Sequence, residues 1–371
     1  MKILWLNWKD AGHPASGGAE VVLHELSKRL VAEGHDVTLL TCGYDGAPDR
    51  EDLDGMHVVR VGNNRYVHSV QALIEYIRNH RGRYDIVIEM VNTAPYFSVF
   101  FGRSSKRYLF YHQLARQVWF HEAPGPLGLF GFYFMEPLAT RGLAMAGVPA
   151  ITVSDSTRRD LQSFGFKQDK VHVISEGITM EPLEKLESVT KYDQPTLLSL
   201  GAMRSMKRTL DHIAIFEAAK AHIPDLRLKL AGSAADPYGQ KVLARIAASP
   251  YKDDMEYLGK VSHQEKLSLM RRSHLILQTA VKEGWGLTVT EAASQGTPAA
   301  VYDVDGLRDS VRNNITGLVT PEKPEALAAE IITLLQDPKA YETMRRAAWD
   351  WSKEITFDRS YADFKKVLEL A

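Results

Sequence analysis

Short apolar, β-branched runs alternate with amphipathic helical stretches almost from one end of this chain to the other, and the whole alternation runs through twice. A strand, a helix and a second parallel strand close as a right-handed crossover, so the pattern restricts the chain to α/β architecture built on parallel sheets. A single core stops growing at roughly 250 residues. With 371 residues, the chain is expected to form two such cores.

In the first half the runs predict strands at 3–8, 37–41, 57–61, 86–90, 108–111, 150–153 and 171–174. The first helix is expected over 18–33, with Val22, Leu26 and Leu30 on one face and Gly34 just beyond its end, where a left-handed residue closes a helix. Periodicity fails after Gly177 through EPLEKLESVTKYDQP, which reads as an interdomain linker over 181–195. A second set of strands follows at 196–200, 227–231, 255–258, 275–277 and 299–302, and three helices finish the chain. The expected organisation is therefore a domain over 1–180, the linker, a domain over 196–354, and a last segment, 355–371, packing back on the first domain.

Forty-five Lys and Arg against forty-six Asp and Glu leave a formal charge of -1, so no global field draws the protein to nucleic acid. The single cysteine, Cys42, excludes an internal disulfide and a cysteine-rich metal site and fits a reducing, cytoplasmic setting. The N-terminus MKILWLNWKD turns polar too soon for a signal peptide, and no apolar run approaches the ~20 residues that span a bilayer.

Ligands of open parallel sheets sit beyond the C-terminal strand ends, and the densest signal lies there. In KEGWGLTVTEAASQGTP a Gly-rich turn opens a helix, so the amides of Gly284, Trp285, Gly286 and Leu287 can meet a diphosphate at a positive helix end. Glu283 before the turn can take sugar hydroxyls and Glu291 a ribose. The alternative is a plain capping box, Thr288 with Glu291, behind two turn glycines. After the strand at 196–200, Arg204 and Lys207 can stabilise a leaving diphosphate; solvated basic residues are the alternative.

Gly17 and Gly18 close the loop after the first strand, either as a simple turn or to let backbone approach a ligand. His112 ends the strand in YLFYHQ, where a structural histidine is the commoner case, and Glu176-Gly177 end a later strand. Ser154 in VSDSTRRDL is expected to cap a helix. Asp303-Val304-Asp305 formally matches a metal-binding Asp-x-Asp but falls where a turn needs Asp and Gly; no metal site is expected. The aromatic stretch 115–138 either packs internally or faces an acceptor or a lipid surface.

The spacing of Glu283, the Gly-Trp-Gly turn and Glu291 resembles the signature of glycosyltransferase family 4, with Trp285 in place of the commoner Phe. The likeness extends from the Gly17-Gly18 loop to NNITGLVTPEKPEALAAEI at 313–331. It implies the GT-B fold, two doubly wound Rossmann-like domains facing across a cleft, the N-terminal one for the acceptor and the C-terminal one for the nucleotide sugar. In that family the first Glu and the following amides hold donor sugar and phosphates, the second Glu binds the ribose, and a histidine at the position of His112 touches the donor sugar. Relatives carry Arg immediately after the strand-end glycine and Lys six after it. Lys207 keeps that spacing from Gly201, Ala202 stands where the Arg is expected, and Arg204 is the candidate replacement. Glu176 stands where relatives show Asn.

The resemblance thus implies a retaining, metal-independent transfer from a nucleotide-diphosphate sugar, UDP- or GDP-linked, to a glycan, lipid-linked or small-molecule acceptor. Glu283, His112, Arg204 and Lys207 form its catalytic set, no cofactor is needed, and peripheral contact with the inner membrane face is compatible with it. The competing readings are a 2-epimerase of the same fold and a nucleotide-sugar sensor. A nicotinamide dehydrogenase is weaker still, because no Gly-x-Gly-x-x-Gly follows the first strand.

Overall fold

A computed structural model describes the chain apart from residues 65–66, 93, 103–105, 124 and 371. Its contacts divide into two compact units. The first takes in Met1–Trp119, Gly125–Gly177 and the chain from Phe357 onward, and the second takes in Ile178–Thr356 with a short segment from Phe120.

Eight strands form the first sheet: β1 (Lys2–Leu6), β2 (Asp36–Thr41), β3 (Arg50–Leu53), β4 (Met56–Arg60), β5 (Ile86–Met90), β6 (Lys106–Tyr111), β7 (Ala150–Thr152) and β8 (Val171–Val173). Their order is β3-β4-β2-β1-β5-β6-β7-β8. All neighbours are parallel except β3 and β4. In β1 the run Ile3, Leu4, Trp5, Leu6 is buried throughout, because helices cover both faces of a parallel sheet. The β3–β4 hairpin turns through Asp54 and Gly55, both at positive φ, the backbone that a two-residue Asp-Gly turn requires. Its first strand is almost entirely exposed. With no apolar alternation to betray it, β3 was not expected from the sequence.

The first helix runs Gly18–Ala32 and buries Val22, Leu23, Leu26 and Leu30. The last helix, Phe357–Leu368, belongs to this same unit. Its Phe364 ring stacks on Trp5 with centroids 5.7 Å apart, and its Asp358 pairs with Arg29 of the first helix.

The second sheet holds β9 (Thr196–Leu200), β10 (Arg227–Ala231), β11 (Met255–Gly259), β12 (Leu275–Gln278), β13 (Ala299–Tyr302) and β14 (Gly317–Thr320), ordered β11-β10-β9-β12-β13-β14 and parallel throughout. β14 lies inside the segment read as a late turn and helix.

The expectation of a linker over 181–195 is corrected by the structure, because this stretch is built into the second unit. Leu183 and Leu186 pack on Trp349, whose indole N–H donates to the Leu183 carbonyl at 2.8 Å. The Lys191 ammonium, buried, donates to the carbonyls of Arg271, Ser273 and Gly296 and to the Thr297 hydroxyl at 2.7–2.9 Å. Charge-rich composition suggested solvent, but Lys191 and both leucines have their partners inside.

Two histidines of this unit make its stability pH-dependent. Burial pushes His212 down to about 3. Burial first, then the nearby Lys191 and Arg345 charges, push His274 down to about 4; its Nδ1 accepts the Thr196 N–H at 3.1 Å, which needs a neutral ring. Unfolded histidine titrates near 6.5. Below that pH the unfolded chain binds protons that the native ring refuses, so stability is lost as pH falls from about 6.5 towards 4. Between pH 7 and 5 we expect a loss of about 2 kcal/mol per histidine. Urea unfolding at both pH values measures it, and a midpoint unchanged by pH would refute the assignment.

Candidate active site

In the second unit the strand order reverses between β9 and β12, and the crevice at such a switch point is where open parallel sheets bind ligands. The two segments leaving the sheet there are tied together. The Val281 N–H donates to the Met206 carbonyl at 2.8 Å, and the Thr279 hydroxyl lies 3.2 and 3.1 Å from the carbonyls of Lys207 and Arg208. This lacing brings the Lys207 ammonium onto the Glu283 carboxylate. Two residues 76 positions apart thus form one charged pair at the strand ends.

Beyond Glu283 the chain turns through Gly286 at φ +96° into the helix Leu287–Ser294, and no side chain caps that helix. Its first N–H groups therefore point outward without a protein acceptor from a cap. The capping-box alternative does not form: Thr288 sits inside the first turn and accepts from the Gln278 amide at 3.0 Å. The Trp285 ring lies 6.4 Å from that of Trp351, centroid to centroid.

Gly306 was a residue that the sequence reading missed. A β-carbon there would lie 2.2 Å from the Glu283 carbonyl oxygen, and the Glu283 N–H donates to the neighbouring Asp305 carbonyl at 3.0 Å. Only glycine allows the Glu283 backbone to lie so close. Its Asp-Gly context signalled a turn, but not what the turn had to accommodate.

Glu291 is buried, with its Oε2 2.8 Å from the ammonium of Lys266. Lys266 was missed as well, since it sits on an ordinary amphipathic helix, His263–Arg272, with no motif around it. Arg204 does not join Lys207 and Glu283: its guanidinium is paired with Glu122. Asp303 and Asp305 both bind Arg308, and Asp305 also binds Lys282. Among the described residues no group of three or more His, Cys, Asp or Glu is arranged to hold a metal.

In the first unit the Gly17 amide donates to Glu20 Oε2 at 2.7 Å, and Lys9 approaches the same carboxylate at 3.1 Å. The glycine loop is thus engaged by the chain's own acid. His112 follows β6, and its Nδ1 lies 2.8 Å from Glu176 Oε1. Ser154 caps the helix Asp155–Ser163 as expected. Of the aromatic stretch, Val118 and Trp119 are buried, but Leu127, Leu129, Phe130, Tyr133, Phe134 and Leu138 are each more than half exposed. The internal-packing alternative does not describe that face.

Two doubly wound α/β units with these sheet orders match the GT-B fold of solved glycosyltransferase structures. Residues 16–181 match the family described as Glycosyltransferase Family 4, and residues 182–351 match Glycosyl transferases group 1. Together the two models span residues 16–351 and support a glycosyltransferase of the family 4 type. An uncharacterized glycosyltransferase of Methanocaldococcus jannaschii is 23% identical over 91% of this chain and 90% of its own. The chain spans about half the length of the trehalose and glycogen synthases it also matches. Among solved structures, a sucrose-phosphate synthase from Thermosynechococcus elongatus superposes with a TM-score of 0.79 at 18% identity, covering 99% of this chain and 98% of that one. Anabaena HepE in complex with UDP-glucose does so with 0.73 at 16% identity, covering 100% and 99%.

Proposed function

We propose that this glycosyltransferase moves a sugar from a nucleoside-diphosphate sugar, a UDP-sugar in the first instance, with retention of configuration and without a metal ion. The reading rests on the Lys207–Glu283 pair beside an uncapped helix N-terminus. As the bond from the anomeric carbon to the diphosphate oxygen breaks, negative charge grows on the leaving group, where Lys207 and the amides from Gly284 to Leu287 stabilise it. The acceptor hydroxyl forms the new bond on the same face, and its proton passes to the departing phosphate oxygen. Glu283 holds sugar hydroxyls and orients the donor, and Glu291 takes the ribose.

No divalent ion is assigned, because fixed cations and amides meet the leaving charge and the Asp-x-Asp pair is spent on Arg308 and Lys282. Arg204 is assigned to loop anchoring through Glu122 and not to the leaving group. The UDP preference is supported by the Anabaena structure with UDP-glucose. An acceptor carried on a lipid suits the exposed apolar face from Leu127 to Leu138, although no helix among the described residues is long and apolar enough to cross a membrane.

A panel of UDP-, GDP-, ADP- and dTDP-sugars, scored by thermal shift and by slow donor hydrolysis, tests the proposal. We expect UDP-sugars to stabilise the protein most and to be hydrolysed with retained configuration in the presence of a chelator. No stabilisation by any donor, or an epimer as the only product, would overturn it.

A further inference from the structure

The surroundings of Glu176 fix how its carboxylate meets His112. Its backbone is clamped on both sides. A β-carbon on Gly177 would lie 2.3 Å from the Phe357 nitrogen, so no other residue fits there, and the Ser360 hydroxyl donates to the Ser175 carbonyl. The Glu176 side chain is 5% exposed and meets the His112 ring, itself 11% exposed, at Nδ1. The ring is held from other directions too. Phe110 lies 5.0 Å away, centroid to centroid, and the Thr157 hydroxyl, part of the Ser154 cap, donates to the His112 carbonyl at 3.2 Å. The other ring nitrogen, Nε2, is buried and has no hydrogen-bond partner.

An ionised carboxylate can only accept, so Nδ1 must carry the hydrogen. An asparagine amide could instead donate to Nδ1 and place the hydrogen on Nε2. With glutamate that choice is closed. A cationic ring would leave a charged N–H at Nε2 buried without an acceptor, which costs more than leaving a lone pair there. We infer that Glu176 is a positioning residue that locks His112 in the neutral Nδ1–H tautomer, so that Nε2 accepts a hydrogen bond from a hydroxyl of a sugar substrate. The lone pair repels phosphate and carboxylate oxygens and accepts from polyols. Glutamate at this position therefore makes His112 a reader of sugar hydroxyls and not of anions. The sugar part of this inference rests on the proposed function; the tautomer does not.

The experiment uses the full chain labelled with 15N-histidine, with H112Q to assign the His112 signals among the 13 histidines. Long-range 1H–15N spectra near pH 7 should show His112 protonated at Nδ1 and bare at Nε2. In E176L, which removes the acceptor at similar volume, the preference should be lost. In E176Q, whose amide can accept from Nδ1 or donate to it, the preference should be weakened but not lost. An Nε2–H or doubly protonated ring in the wild type, or an E176L spectrum unchanged from it, overturns the inference whether or not the protein turns over any donor. With a UDP-sugar that the wild type uses, E176L should lose about tenfold in kcat/KM, and E176Q should lose less. Equal losses in E176L and E176Q, or none in E176L, would remove the sugar-reading role while leaving the proposed transfer intact.

Discussion

Replacing Glu283 by Gln is expected to lower kcat for sugar transfer about a thousandfold in a protein that still melts close to the wild-type temperature. Gln keeps the shape of the side chain but removes the charge that holds Lys207. Two effects then coincide: donor hydroxyls lose a strong acceptor, and Lys207 loses the partner that aims it at the leaving diphosphate. Both act as the bond to phosphate breaks, so the loss should fall on kcat more than on KM. K207M should cost a similar factor, and the double variant little more than either single one, because the two residues act as a unit. Folding should tolerate E283Q, since the turn is shaped by the positive φ of Gly286 and the close approach at Gly306 and not by the carboxylate. Turnover within a few-fold of wild type in folded E283Q would remove Glu283 from the chemistry.

K191M should destabilise the second unit by about 1–3 kcal/mol. Methionine fills similar volume but donates nothing, so the Arg271 carbonyl loses its ammonium donor, while the Gly296 carbonyl keeps the Arg345 Nε–H at 3.2 Å and the Ser273 carbonyl the Thr297 hydroxyl at 2.9 Å. Each unsatisfied buried acceptor costs about 1–3 kcal/mol. Burial pushes the Lys191 ammonium well below its ordinary value, which marks the site as shielded from solvent. K353M is the control, because its ion pair with Asp350 is on the surface, where such pairs contribute ~0–1 kcal/mol. Urea unfolding followed by tryptophan fluorescence measures both. An unchanged K191M midpoint would mean that water enters and replaces the ammonium.

Most of the parallel strands were legible because buried parallel strands are nearly continuous apolar runs, and such runs need no tertiary information to recognise. β5, β9, β10 and β13 fall at the expected bounds. The exposed edge β3 was hidden for the opposite reason, since only its Asp-Gly turn marks it. The stretch 181–195 misled because composition reports average solvation and cannot show that Lys191 finds four buried acceptors.

The candidate site divides along the same line. The sequence by itself determined the α/β class, the strand-end placement of Glu283, Lys207 and His112, the Gly-rich turn and the place of Glu291 in the helix that follows it, because each follows from local periodicity and short spacing. Only the tertiary structure decided the partners: Lys207 with Glu283, Glu291 with Lys266, Arg204 with Glu122 and His112 with Glu176. Each pair joins residues 25 to 82 positions apart, brought together by strand order. A side chain's charge is written in the sequence, but the group that neutralises or orients it depends on which strands become neighbours, and that is settled by the packing of the whole sheet.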